Sequence, residues 1–284
     1  VHVAAAKAGA ESRGERDEQA GQRGDLRGPG HDRPRATILG VPVDCVGPEE
    51  AVSRCAELVS SGRGGHVVTL NPEMVLACQR DPELMQAVRG ADLVVPDGIG
   101  VVLGLRLLGW NAPGRVPGIE LATELMKTCA AAGRGVFMVG ARPGVADEAA
   151  RRMAQSIPEL RIAGVHHGYF GHHEEGQVLQ AIGDSRPGCV LVGLGAGRQE
   201  KWIARVRANA TPGAVWVGVG GSFDVMAGAL RRAPEAWRRL GLEWLYRLLQ
   251  EPRRLGRMAS LPVFAMRVAL EAIRGGGRRH TKLT

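Results

Sequence analysis

Asp97 stands between Pro96 and Gly98, at the end of an apolar run. A carboxylate in that position can project into a cleft and take a proton from an attacking hydroxyl. Asp just before a helix is also a common N-cap, and the tripeptide alone leaves both roles open. Thr69, Asn71 and Pro72 follow a second apolar run. Three glycine-rich stretches accompany them: Gly140 to Gly144 around Arg142, Gly193 to Gly197 around Gly195, and Gly218 to Asp224 around Gly221. Such loops, where they lead into helices, offer backbone N–H groups and a helix N-terminus to a phosphate. Three in one chain favour a phosphorylated or nucleotide ligand.

Other chemistries fit poorly. No G-K-[ST] occurs, which removes a P-loop. Gly193, Gly195 and Gly197 give G-x-G-x-G, with no acid about 20 residues further on, so the dinucleotide fingerprint is incomplete. A nicotinamide-dependent oxidoreductase is therefore the weaker reading of the same loops. No two aspartates are spaced D-x-D. A bound nucleotide-sugar would then rest its diphosphate on backbone N–H groups and arginines rather than on a carboxylate-held metal. His166, His167, His172 and His173 flank Gly168 to Gly171. No cysteine joins them, and adjacent side chains on a strand point apart, so a polar loop is expected there and no metal.

These residues need a frame. Valine-, leucine- and isoleucine-rich runs predict strands at Ala36–Val41, His66–Leu70, Asp92–Val95, Gly135–Val139, Arg161–Val165, Cys189–Gly193 and Ala214–Gly218. Helical patterns fall between them, near 48–61, 72–88, 98–109, 118–132, 144–156, 173–183 and 198–208. The alternation predicts an α/β fold, Rossmann-like, with a mostly parallel sheet flanked by helices. Ligands of such sheets bind outside the carboxyl ends of the strands, where the residues named above fall. Beyond 230 the pattern changes. Pro234–Gln250 reads as an amphipathic helix with Trp237, Leu240, Leu245, Leu248 and Leu249 on one side and Arg238, Arg239, Glu243 and Arg247 on the other. Pro252 ends it, and a second apolar stretch, Leu261–Ile273, is too short to span a bilayer. Three units are expected: a disordered extension over 1–34, an α/β domain over 35–230 and a basic helical appendage over 231–284.

Composition agrees with an ordinary globular chain: 284 residues, 44% hydrophobic and 23% charged. The net charge is +8, and residues 231–284 alone carry 13 basic against 4 acidic side chains. The body is near neutral, which argues against a general nucleic-acid binder. The tail should seek phosphates or an anionic membrane. A nucleic-acid-binding protein acting through that tail is the second rival reading. The five cysteines include no C-x-x-C pair and read as reduced core fillers. No apolar signal core opens the chain, so classical secretion is not expected.

Seven motifs in order complete the reading: T-L-N-P-E at 69–73, P-D-G at 96–98, R-V-P-G at 115–118, G-A-R-P-G at 140–144, R-Q-E-K-W at 198–202, G-V-G-G-S-F-D at 218–224 and G-L-E-W-L-Y-R-L-L-Q-E-P-R-R at 241–254. Together, over about 36–258, they resemble the WecG/TagA/CpsF glycosyltransferase family. The resemblance implies an inverting, metal-independent enzyme with no cofactor. It would move N-acetylmannosamine or a related sugar from a UDP donor to polyprenyl-diphosphate-linked N-acetylglucosamine, in surface polysaccharide or teichoic acid synthesis. It implies a cytoplasmic protein bound peripherally to the inner membrane face. On the motif positions, Asp97 would be the general base, with Thr69 and Asn71 beside it. Arg115 and Gln199 would line the sugar-diphosphate pocket. Gly140, Arg142, Gly195, Gly221 and Asp224 would form the nucleotide cradle. Arg247, Arg253 and Arg257 would reach the diphosphate from the appendage. One departure falls at Ala196-Gly197-Arg198-Gln199-Glu200, where relatives often carry S-P-[KR]-Q-E. Apolar helix faces leave self-association open.

Overall fold

A computed structural model describes residues 35–251, 256 and 260–275. The 1–34 extension, Arg253, Arg254, Arg257 and residues 276–284 lie outside the described residues. The first predicted strand, Ala36–Val41, is instead a hairpin of β1 (Ala36–Ile38) and β2 (Val41–Val43), antiparallel and separate from the main sheet. Leu39 and Gly40 turn it with φ of 50° and 77°. Two successive positive φ values are what a tight two-residue hairpin turn demands.

The remaining predicted strands form one six-stranded, all-parallel sheet. They are β3 (Gly65–Leu70), β4 (Leu93–Pro96), β5 (Val136–Gly140), β6 (Ile162–His166), β7 (Cys189–Gly193) and β8 (Val215–Gly218), in the order β4-β3-β8-β7-β5-β6. Parallel strands need crossovers, and the helices supply them. In chain order these are α1 (Pro48–Ser60), α2 (Pro72–Cys78), α3 (Pro82–Arg89), α4 (Ile99–Leu107), α5 (Gly118–Ala131), α6 (Val145–Ser156), α7 (His172–Ser185), α8 (Arg198–Ala210) and α9 (Ser222–Met226). The predicted 72–88 helix is two helices. Pro82 has no N–H to give and forces the preceding residue out of helical conformation, and the Asp81 side chain caps α3 by accepting from the Leu84 N–H at 3.0 Å.

Alternate residues of each strand bury on opposite faces. Val67, Val95, Met138, Leu191 and Val217 meet Leu58, Leu121, Leu125 and Ala146 from α1, α5 and α6. On the other face, Val68, Leu70 and Val94 meet Val75, Leu84, Val101 and Leu105 from α2, α3 and α4. Val139, Val190, Val192 and Trp216 meet Ile182, Trp202 and Ile203 from α7 and α8. Four of the free cysteines, Cys55, Cys78, Cys129 and Cys189, are buried among these side chains.

Two consequences bear on function. Neighbouring strands β3 and β8 send the chain to opposite faces: β3 leads into α2, β8 into α9, whose Phe223 and Met226 pack in the other core. Divergence of this kind opens a crevice at the carboxyl ends of two adjacent strands. The C-terminal region also divides differently from expectation. The predicted 234–250 helix is α10 (Glu235–Arg239) and α11 (Glu243–Gln250), separated at Gly241 with φ of 72°. The last apolar stretch forms α12 (Ser260–Gly275), which packs on α2 and α4. Phe264 and Val268 are buried there, over Gly104, where a Cβ would lie 2.6 Å from Ile38 Cδ1. Glu271 Oε2 accepts from the Leu39 N–H at 2.8 Å. The inner face of α12 therefore packs into the α/β core through Phe264 and Val268.

Candidate active site

The β3–β8 crevice gathers the first group of candidate residues. Thr69 and Leu70 pair in register with Val95 and Pro96, so the ends of β3 and β4 stand side by side. The Asp97 N–H is held by Leu70 O at 2.8 Å. The Thr69 hydroxyl donates to Gly218 O at the end of β8, at 3.0 Å. The Asn71 side chain caps α2, accepting from the Met74 N–H at 2.9 Å. Asn71 thereby fixes the departure of the chain from β3.

Asp97 does not cap the helix that follows it. Gly98, with φ of 105°, occupies that position, and α4 has no side-chain cap. The carboxylate turns instead to the start of α5, where Oδ2 accepts from the Gly118 N–H at 3.4 Å. That bond is long, and it points the carboxylate at the positive end of a helix. A Cβ on Gly118 would sit 3.3 Å from Thr69 Oγ1 and 3.5 Å from Asp97 Oδ2. The glycine thus leaves open the space between the two side chains. Burial pushes the Asp97 carboxyl up to about 6; the Gly118 N–H, Arg115 and Arg247 oppose that rise and Glu243 adds to it. A carboxylate with its affinity for protons raised in this way is a stronger base that is still ionised near neutral pH.

Arginines reach the crevice from the loop before α5, the loop after β5 and the C-terminal segments. Arg115 Nη1 meets Glu243 Oε2 at 2.8 Å, and Nη2 donates to Arg238 O at 3.1 Å. Glu120, on the first turn of α5, pairs with Arg232 and Arg238. Arg247 Nη2 donates to Gly221 O at 3.1 Å. Asp224 lies within 4.0 Å of Arg142 Nη2, an exposed and weak pairing. Arg142, Gly221, Asp224 and Arg247 therefore share one rim of the crevice. Arg253 and Arg257 fall outside the described residues.

The glycine loops play unequal parts. Gly195, with φ of 92°, has open space where a side chain would be. Gly140 is held by packing: its Cβ would lie 2.5 Å from Gly193 O, where β5 and β7 converge. Gly221 lies directly under the Arg247 guanidinium. Gln199 is buried with both ends of its amide in use, Oε1 accepting from the Gly220 N–H at 3.0 Å and Nε2 donating to Glu200 Oε1 at 2.7 Å. It braces the β8 loop from beneath. Glu200, fully buried, accepts from the Gly197 N–H at 2.6 Å, and burial raises its pKa. Gly197 has φ of 83°. A proline there would have neither that φ nor that N–H. The departure from S-P-[KR]-Q-E is thus a different local backbone that still delivers Gln199.

Sequence reasoning missed Gly118, Glu243 and Glu120 as site residues. Gly118 and Glu243 lay inside quoted motifs, but nothing local marks a glycine as open space or a glutamate as an arginine partner 128 positions away. Among the described residues, no group of three or more histidines, cysteines or carboxylates is arranged to hold a metal ion. Of the clustered histidines, His166 uses Nδ1 on His167 O at 2.8 Å.

A family model described as the glycosyl transferase WecG/TagA/CpsF family matches residues 36–278. That span passes the 258 boundary and takes in α12. An N-acetylglucosaminyldiphosphoundecaprenol N-acetyl-beta-D-mannosaminyltransferase of Bacillus spizizenii is 38% identical over 210 residues, covering 74% of this chain and 80% of that protein. A protein of the same description from Staphylococcus aureus is 36% identical over 203 residues, covering 72% of this chain and 79% of its own.

Proposed function

This chain belongs to the WecG/TagA/CpsF glycosyltransferase family, and from that premise we propose that it transfers N-acetylmannosamine from UDP to polyprenyl-diphosphate-linked N-acetylglucosamine. The sugar and acceptor are those in the names of its relatives. The observation that carries the mechanism is Asp97, partly buried, raised to about 6 and aimed beside Thr69 into the β3–β8 crevice. Asp97 takes the proton of the acceptor hydroxyl as that oxygen bonds to the anomeric carbon. The bond from that carbon to the donor phosphate breaks on the opposite face, and its electron pair leaves with UDP. One in-line displacement inverts the anomeric centre. Arg115, Arg247 and the N–H groups near Gly195 and Gly221 offset the charge growing on the diphosphate. Arg142 and Asp224 contact the nucleotide side, and Gln199 holds the β8 loop in place. Arg253 and Arg257 add cations from the C-terminal segment. The family resemblance implies a reaction without a divalent metal, and the lack of a D-x-D pair agrees with that. The protein works at the cytoplasmic membrane face, where a lipid-linked acceptor is presented.

The test is UDP release by the purified full chain from UDP-N-acetylmannosamine, with a short-chain lipid-diphosphate N-acetylglucosamine and EDTA. Acceptor-dependent release is expected. No release with any UDP-sugar, and no shift of the melting temperature by UDP, would overturn the reading.

A further inference from the structure

We propose that Glu243 is a positioning residue for this reaction, its carboxylate pinning Arg115 and with it the α10–α11 segment across the Asp97 crevice. The proposal rests on the glycosyltransferase reading above and names a group that reading does not use. The α10–α11 segment is tied down on several sides. Arg232 and Arg238 meet Glu120 at the start of α5. Arg247 reaches Gly221 O beyond β8. Gly241 folds the segment back against the start of α4, where a Cβ would come within 3.1 Å of Ile99. These contacts fall on the elements that frame Asp97. The tie through Glu243 differs from them, because its partner is an arginine of the crevice itself. One guanidinium, Arg115, spends Nη1 on Glu243 at 2.8 Å and Nη2 on the Arg238 carbonyl at 3.1 Å. Both side chains of the pair are largely shielded, with 20% and 26% of their surface exposed. The pair therefore fixes the guanidinium plane and the segment together.

Charge follows from the same geometry. The groups acting on Asp97 are Arg115 from the loop before α5, Glu243 and Arg247 from α11, and the Gly118 N–H. The Thr69 hydroxyl, also beside the crevice, is spent on Gly218 O. Glu243 favours the protonated carboxyl, whereas the two arginines favour the carboxylate. Neutralising Glu243 removes the first influence and leaves Arg115 uncompensated, and both changes make Asp97 easier to ionise.

The experiment compares wild type, Glu243→Gln and Glu243→Asp as full chains. It measures transfer rate against pH and hydrogen exchange over 235–250. For Glu243→Gln we expect kcat to fall about tenfold with a smaller change in KM for the donor. Its acid limb should move to lower pH by about 0.5, and exchange should rise over 235–250 but not in the sheet. Glu243→Asp keeps the charge, so its limb should stay near wild type even where its shorter reach loosens the segment. A Glu243→Gln protein with wild-type exchange over 235–250, or with an unmoved acid limb, overturns the proposal. Failure of the wild-type protein to transfer sugar would strike the enzymatic reading instead, and exchange alone would then decide whether Glu243 pins the segment.

Discussion

At the scale of single residues, two titrations pull stability in opposite directions. Asp97 has a folded pKa of about 6 against an ordinary 3.8. Between those values the folded chain binds the extra proton, so this group costs stability as pH rises through the window. Asp97→Asn should therefore raise the melting temperature near neutral pH, by the equivalent of about 1–2 kcal/mol. It should also lower turnover by roughly 100-fold or more, with UDP still bound. Wild-type kcat/KM should fall as pH drops through about 6. Near-normal turnover in Asp97→Asn would remove it as the base. His66 on β3 acts in the other sense. It is fully buried, its Nε2 has no hydrogen-bond partner among the described residues, and burial together with Arg207 holds its pKa down at about 3. From 6.5 down to about 3 the unfolded chain binds a proton that the folded chain does not, so stability falls with falling pH by up to roughly 1.4 kcal/mol per pH unit. Urea midpoints measured down that range should flatten in His66→Phe; an unchanged slope would place the acid sensitivity elsewhere.

At the scale of elements, legibility depended on whether the signal was local. Five of the six parallel strands are readable because burial on both faces leaves a continuous apolar run; β6 is half-buried along its length and is marked only by Ile162, Ala163 and Val165. Their carboxyl ends carry the candidate residues, but which two strands flank the crevice depends on the strand order, which no local signal gives. The hairpin at Leu39 and Gly40 hid because an apolar residue occupies a left-handed position usually marked by Asn or Asp. The break between α2 and α3 is written in the sequence as Asp81-Pro82, a local signal that the helical periodicity of 72–88 masks. The packing of α12 could not be read at all, since it turns on a missing side chain at Gly104 that lets Phe264 and Val268 approach. The site divides in the same way. Asp97, Thr69 and the glycine loops were legible from position at strand ends, whereas the pairing of Arg115 with Glu243 needs the chain to return across 128 residues. Because α12 closes over α2 and α4, Phe264→Ala should cost about 3 kcal/mol in urea unfolding. A loss below about 0.5 kcal/mol would show that α12 is peripheral to the fold.

At the scale of the whole molecule, the question is what meets the apolar surface that remains. Among the described residues, no helix is long and apolar enough to cross a membrane. Yet Leu240 and Leu249 are 72% and 65% exposed on the segment that crosses the crevice, with Trp244 beside them at 39%. Arg238 and Arg239 precede Leu240, and Arg253, Arg254 and Arg257 follow in sequence. Apolar side chains at the surface with cations around them suit the boundary between headgroups and acyl chains, where burial and charge act together. A segment docked there would bring Arg247, and the Arg115 that Glu243 holds against it, to the level of a lipid diphosphate, and membrane contact would then be coupled to completion of the site. Two kinds of loss separate these contributions. Leu240→Glu with Leu249→Glu should abolish sedimentation with vesicles containing phosphatidylglycerol, whereas raised salt should weaken the wild type by screening only the arginines. The same double variant should retain transfer to a short-chain, water-soluble acceptor and lose it for a long-chain acceptor in vesicles. Equal loss on both acceptors would mean that these leucines support the fold of the segment and are not a membrane contact.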